Sequence, residues 1–205
     1  MIKKLPSTLL NMVLSLGIIT VCASALLALV HDITEKPIAE AEKRKQVDAI
    51  KAVTPKFTNN PVADKWEYIP EGSVEPFVLF PAYDGEMFCG AAVEGYSMNG
   101  FSGRISVMCG FDADGNIMGY EVLQHAETPG LGAKMQEWFR MDVGHRSVVG
   151  LNPGRDKMRV SKDGGDIDGI TAATISSRAF LDVLRECYKV FETYKSDKLN
   201  LDPNE

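Results

Sequence analysis

The sequence predicts an α+β protein: a single N-terminal transmembrane helix, then a compact domain in which packed helices cover a twisted antiparallel sheet. Three observations carry this prediction. Residues 9–30 form an uncharged apolar run near the N-terminus. Between residues 76 and 124, short strand-like runs alternate with glycine and Asp-Gly turns. From Ile175 to Phe191, apolar residues recur at three- and four-residue spacing.

The apolar run comes first. At about 1.5 Å per residue it reaches roughly 33 Å, enough for a hydrocarbon core of about 30 Å. A signal peptide cleaved at Ala23-Ser24-Ala25 would leave Leu26-Leu27-Ala28-Leu29-Val30 as an apolar new terminus. A lipoprotein at Cys22 would want a small residue before the cysteine, and Val21 is not small. A retained, single-pass helix fits best. Lys3 and Lys4 flank one side and Lys36, Lys43, Arg44 and Lys45 the other, so the positive charges nearly balance. The N-terminus is expected inside and the domain outside. Residues 1–30 are thus an N-terminal tail and anchor. Residues 31–54 are a juxtamembrane helix or stalk, with Pro37 in an early turn and Pro55 ending it, and residues 55–205 are the domain.

A chain of 205 residues has room for one ordinary domain beside an anchor. With 45% hydrophobic and 24% charged residues, it has enough apolar surface for a packed core. The net charge of −6, with no basic cluster interleaved with aromatics, excludes a nucleic-acid footprint.

Within the domain, residues 57–74 are irregular. Strands are expected at 76–84, 87–96, 105–111 and 116–124, and Asp112-Ala113-Asp114-Gly115 makes a hairpin turn. That turn is similar to the start of a calcium loop but lacks the glutamate such a loop needs downstream. Residues 130–140 suggest a short helix after a glycine-rich entry. The helix at 175–191 buries one face, and residues 195–205 form a polar tail. Cys22, Cys89, Cys109 and Cys187 make no Cys-x-x-Cys pair and have no histidine at metal-ligand spacing, which argues against a zinc or iron–sulfur site. They read as small buried hydrophobes; a disulfide between two of them stays open for a domain outside the cytoplasm.

The segment before the last helix, Lys162 to Thr174, carries the chemistry. Two glycine-containing turns lead into small residues and hydroxyls at a helix N-terminus, where exposed amides and the positive end of the macrodipole favour a phosphate. Ala172 and Ala173 allow close approach to the backbone, and Thr174, Ser176 and Ser177 supply hydroxyls. The alternative is an ordinary capped helix, with Thr171 or Thr174 as N-cap. A nucleoside triphosphate loop is excluded because no lysine stands at the required offset.

Asp168-Gly169-Ile170-Thr171-Ala172-Ala173-Thr174 resembles the flavinylation signature of the FMN-binding domain family: Asp, two variable residues, Ser or Thr, Gly, Ala, then the acceptor Thr or Ser. The resemblance implies that Thr174 carries covalent FMN through its phosphate, with Asp168, Thr171 and Ala173 completing the motif. Ala172 departs from the pattern, standing where the family usually has glycine. Glu127-Thr128-Pro129-Gly130-Leu131-Gly132 is similar to a second loop of that family, implying that Glu127, Thr128, Gly130 and Leu131 lie near the flavin. As residues alone, the same loop is a plain Pro-Gly turn. His125 reads as a structural strand-end histidine, with contact to flavin or solvent as the alternative.

The order of anchor, stalk, compact domain and late acceptor threonine resembles the G subunits of the Rnf (or Rsx) electron transport complexes. Its length fits them better than the related C subunits of sodium-pumping NADH:quinone reductases. The resemblance implies a covalent-FMN electron carrier in the cytoplasmic (inner) membrane, with its domain on the outer face. It implies partner subunits that couple ferredoxin and NAD chemistry to cation transport, a flavin transferase for maturation, and contact with the bilayer. The chain has no convincing acid–base pair or nucleophilic triad, so independent turnover is not expected. A stand-alone extracytoplasmic flavoprotein is one alternative. A structural subunit with a flavin site made vestigial by Ala172 is another.

Overall fold

The computed structural model describes residues 8–199. The chain divides into two compact units, Met1–Arg44 and Lys45–Glu205. The first consists of helix α1 (Leu9–Val53), which continues into the second. Among the described residues α1 is the one helix long and apolar enough to cross a membrane. Met12, Val13, Leu14, Leu16, Ile18 and Ile19 are all exposed; positions this close in sequence cover every face, and a helix apolar all round calls for apolar surroundings. Its hydroxyls turn back onto the backbone, Ser15 Oγ to the Met12 carbonyl at 3.0 Å and Thr20 Oγ1 to the Gly17 carbonyl at 2.9 Å. They therefore need no partner from outside.

The juxtamembrane segment is helical as expected, and α1 runs through Pro37, which stands inside the helix and not in its first turn. A proline removes one ladder hydrogen bond. The good helix formers around it, Glu35, Lys36, Ala39, Glu40, Ala41 and Glu42, carry the helix across that gap. The helix ends at Val53, where the Thr54 N–H and hydroxyl both donate to the Ile50 carbonyl and Pro55 follows.

The second unit is built on a five-stranded antiparallel meander: β1 (Trp66–Tyr68), β2 (Phe77–Asp84), β3 (Met87–Gly100), β4 (Gly103–Asp112) and β5 (Ile117–His125), side by side in chain order. Helix α3 (Thr174–Leu199) covers one face. Its Ala179, Phe180, Val183, Leu184, Cys187 and Phe191 share a core with Phe77, Leu79, Val93, Val107 and Phe111. Phe180 stacks on Phe139 with centroids 4.6 Å apart and meets the edge of Tyr120 at 4.8 Å. The end of α1 covers the opposite face, where Ala49, Ile50 and Val53 pack on Phe80, Ala92 and Met108. Gly110 makes this approach possible, because a Cβ there would stand 1.8 Å from the Val53 carbonyl oxygen. Burial on both faces is why these strands read as continuous apolar runs and not as strict alternation.

The hairpin turn at residues 112–115 is as expected, with Asp112 Oδ1 accepting from the Asp114 and Asn116 N–H groups. Other bounds move. Strand β1 lies inside the stretch read as irregular and pairs only with Phe77, Val78 and Leu79. Beyond Leu79, β2 is therefore an edge that accommodates Pro81. Strands β3 and β4 run past Tyr96 and start before Ile105, leaving Phe101-Ser102 as the tip of their hairpin. The expected helix at 130–140 shrinks to a 3-10 turn (Gly132–Lys134) and helix α2 (Met135–Trp138). Helix α3 runs to Leu199, not stopping before a tail at Lys195, because Tyr194 is buried against Trp66 and its hydroxyl meets that of Tyr83 at 2.9 Å. Residues 200–205 of the expected tail lie outside the described residues. All four cysteines are free; Cys109 and Cys187 are buried, which pushes both thiols up and leaves them unreactive.

Candidate functional site

Three segments meet at the N-terminus of α3. The first is the run from Asp168 into the helix. The Asp168 backbone exchanges hydrogen bonds with neighbours on both sides: its N–H donates to the His145 carbonyl at 2.7 Å, and its carbonyl accepts from Trp138 Nε1 at 2.8 Å. Its carboxylate Oδ2 accepts the His145 N–H at 3.1 Å. Two residues on, the Ile170 N–H donates to Ser177 Oγ at 2.9 Å, and the Ala173 N–H closes a turn on the Ile170 carbonyl at 3.0 Å. Thr171 and Ala172 sit exposed at the tip of that turn. Ala172 has φ +61°, the one non-glycine positive φ among the described residues. That is the left-handed region, which costs a residue bearing a Cβ about 1–2 kcal/mol.

The second segment follows β5. Glu127 is only 5% exposed. Its Oε1 accepts the Ser102 N–H at 3.0 Å, and its Oε2 accepts the Ser176 hydroxyl at 2.7 Å. The Glu127 N–H donates to His125 Nδ1 at 3.2 Å, while His125 Nε2 lies 3.1 Å from Gln136 Nε2. His125 thus braces the turn. The Thr128 carbonyl accepts from the Leu131 and Ala133 N–H groups, and Gly130 takes φ +78°. A Cβ at Gly132 would stand 2.5 Å from both Glu127 Oε2 and Ser176 Oγ, so only glycine lets the loop close on the helix.

The third segment is the β3–β4 hairpin tip, where Phe101 is 69% exposed. Together the three enclose a cavity of about 310 Å³. Ala172, Ala173, Thr174, Ile175 and Ser176 line one wall, Glu127, Thr128, Leu131 and Gly132 the other, and Phe101 the rim.

The hydroxyls around this cavity are not equivalent. Ser176 is 1% exposed and donates to Glu127. Ser177 is fully buried, donates to the Ala173 carbonyl at 2.9 Å and accepts from Ile170. Thr174 is half-buried and faces the cavity. Lys162, in a 3-10 turn (Ser161–Asp163), directs its Nζ to Thr174 Oγ1 at 3.4 Å. Asp163 beside it is held by both arms of the Arg178 guanidinium, at 2.7 and 2.6 Å, and that pairing holds the Asp163 carboxyl below its ordinary range.

Of the residues expected near a flavin, Thr174, Ala173, Glu127, Thr128 and Leu131 line the cavity. Asp168, Thr171 and Gly130 do not; they shape the two turns that form its walls. Sequence reading missed Phe101, counted Ile175 only in the apolar stripe of the helix and Lys162 only as the start of the segment, saw Gly132 only as a motif letter, and named Ser176 as a hydroxyl without its buried partner Glu127. An aromatic between Gly100 and Gly103 was the available signal for Phe101. Nothing marked the Lys162 side chain as a partner of Thr174, twelve residues away. The residues present suit a flavin phosphate. The first amides of α3 lack intrahelical acceptors, a hydroxyl and an ammonium stand beside them, and Phe101, Leu131 and Ile175 offer an apolar rim.

Comparison with known proteins agrees with this chemistry. The FMN-binding domain family matches residues 100–189, which include the hairpin tip, the Glu127 loop and most of α3. The G subunit of the ion-translocating oxidoreductase complex of Yersinia pestis is 31% identical over 185 residues, covering 88% of this chain and 88% of that protein. The protein of the same name from Cereibacter sphaeroides is 32% identical over 196 residues, 91% of this chain and 85% of the relative. One from Aliivibrio fischeri is 28% identical over 201 residues, 93% and 94% respectively. With an FMN-binding domain behind an N-terminal apolar helix, and similarity that runs through both, the chain belongs to the family of G subunits of ion-translocating oxidoreductase complexes.

Proposed function

We propose that this chain holds FMN covalently, through a phosphoester on Thr174, and carries electrons as one subunit of a membrane complex that couples redox chemistry to ion translocation. One observation supports the attachment site above others: Thr174 is a half-buried lining residue whose hydroxyl meets the Lys162 ammonium at 3.4 Å, while Ser176 and Ser177 are buried with their hydroxyls engaged by other groups and Thr171 lies outside the lining. A flavin held there supplies one- and two-electron chemistry. The chain's own part is attachment and placement. Thr174 tethers the phosphate, the first turn of α3 gives it amides and a favourable dipole, and Leu131, Ile175 and Phe101 give the ring an apolar surface.

In this reading residues 1–30 anchor the chain in the cytoplasmic membrane and residues 31–54 link it to a domain at 55–205 on the outer face. Covalent attachment suits that side, where lost FMN is not readily replaced. A flavin transferase installs the group, and further membrane subunits pass the electrons on. The alanine at position 172 retains the left-handed turn, which supports a working site and not a vestigial one.

Peptide mass spectrometry on the chain coproduced with a flavin transferase tests the attachment. FMN is expected on the peptide containing Thr174 and lost in Thr174→Val, with the fold retained. FMN on Thr171 or Ser176, or on no residue, overturns the reading. Copurification with several polytopic membrane proteins separates the complex subunit from a stand-alone flavoprotein.

A further inference from the structure

Lys162 stands where a cation is electrostatically misplaced. The N-terminus of a helix carries partial positive charge and favours anions, yet the Lys162 ammonium points at Thr174, the first residue of α3. Among the described residues no carboxylate pairs with it. The adjacent Asp163 is already committed to Arg178. An exposed lysine also has much rotamer freedom to lose. The fold nevertheless restrains its backbone: Arg178 stands one helical turn after Thr174, and its fork on Asp163 ties the Ser161–Asp163 turn to α3. Gly164, at φ +75°, then turns the chain away. Positive charge is thus built up at one hydroxyl, and among the described residues no carboxylate forms an ion pair with Lys162.

We propose that Lys162 is the charge partner of the phosphate joined to Thr174, and that the Asp163–Arg178 pair positions it. This rests on the reading of Thr174 as the attachment site. A phosphodiester there carries one negative charge. It would turn the contact between Lys162 and a neutral hydroxyl into a charge-assisted one, and would offset the conflict with the helix end.

The test is a cycle on the full-length chain in detergent, with and without flavin loading, for the wild type, Lys162→Met, Lys162→Arg and Asp163→Asn. Stability is read by chemical denaturation, and loading by fluorescence of the denatured chain. Without flavin, Lys162→Met should be as stable as the wild type or slightly more so. With flavin, its unfolding equilibrium constant should rise by about two- to fivefold relative to the wild type, the range of an exposed ion pair. Lys162→Arg should behave as wild type, and Asp163→Asn should lose part of the effect. A Lys162→Met chain that folds but takes no flavin, while Lys162→Arg loads normally, supports the same assignment. Equal destabilisation of loaded and unloaded chains assigns Lys162 a merely structural role and overturns the proposal. So does the absence of any flavin-dependent difference, or failure of arginine to substitute. In those cases FMN on Thr174 in the wild type leaves the attachment reading standing; FMN elsewhere, or none, removes both.

Discussion

Glu127 and Ser176 are forty-nine residues apart in sequence and 2.7 Å apart in the fold, carboxylate to hydroxyl. The same carboxylate accepts the Ser102 N–H, so one buried side chain joins the β3–β4 tip, the loop after β5 and the first turn of α3. Glu127→Ala strands both donors and should cost about 3 kcal/mol, since hydrogen bonds to a buried charged group are worth about 1.5–3 kcal/mol each. Ser176→Ala removes only one and should cost about 1.5–3 kcal/mol. Gly132→Ala drives a Cβ into the same pair and should cost about 1–3 kcal/mol by overpacking. Urea denaturation of each variant checks the order. Full stability in Glu127→Ala would show that this carboxylate does not hold the site together.

Ala172 pays a conformational penalty at the turn into α3. Ala172→Gly should relieve it and stabilise the chain by about 0.5–1 kcal/mol, the left-handed cost less the extra backbone entropy of glycine. The midpoint of chemical denaturation should rise while flavin loading stays at least at the wild-type level. A fall in stability would mean that the turn tolerates the alanine without strain.

Tyr120 lies in the core with its hydroxyl donating to the Met135 carbonyl at 2.7 Å, and burial pushes its phenol from 10.0 up to about 12. The folded value is raised, so its contribution to stability is complete below pH 10 and is lost as pH climbs from 10 to 12, where only the unfolded chain would be ionised. Tyr120→Phe should cost about 1 kcal/mol at neutral pH through the lost hydrogen bond. The difference between wild type and variant should narrow above pH 10. Unfolding curves at pH 8 and pH 11 check this, and a constant difference would refute the assigned titration.

Local chemistry let the sequence alone determine a good deal. An uncharged run long enough for a bilayer, apolar residues at helical spacing from Ile175 to Phe191, and an Asp-x-Asp-Gly turn between apolar runs are short-range signals. The membrane-length helix, α3 and the β4–β5 hairpin follow from them. The motif from Asp168 to Thr174 pointed to a flavin only through its resemblance to the FMN-binding domain family; its residues alone also fit an ordinary capped helix. What it could not distinguish was which motif residues face the cavity. The resemblance marks Thr174 as the acceptor, but the letters alone do not say whether Asp168 and Thr171 face the same cavity. Only the turn closed by Ala173 on Ile170 sends Asp168 into the scaffold, leaves Thr171 at the tip and brings Thr174 to the cavity. Element ends also escaped local reading: Tyr194 extends α3 through Tyr83 and Trp66, and the juxtamembrane helix is continuous with the membrane-length one, so Pro37 stands inside a helix and not in its first turn. Lys162 and Phe101 reach the site only because Arg178 ties one turn to α3 and the β3–β4 pairing extends to Gly100 and Gly103. Such contacts cross long stretches of chain and depend on side-chain geometry, and neither periodicity nor spacing records them.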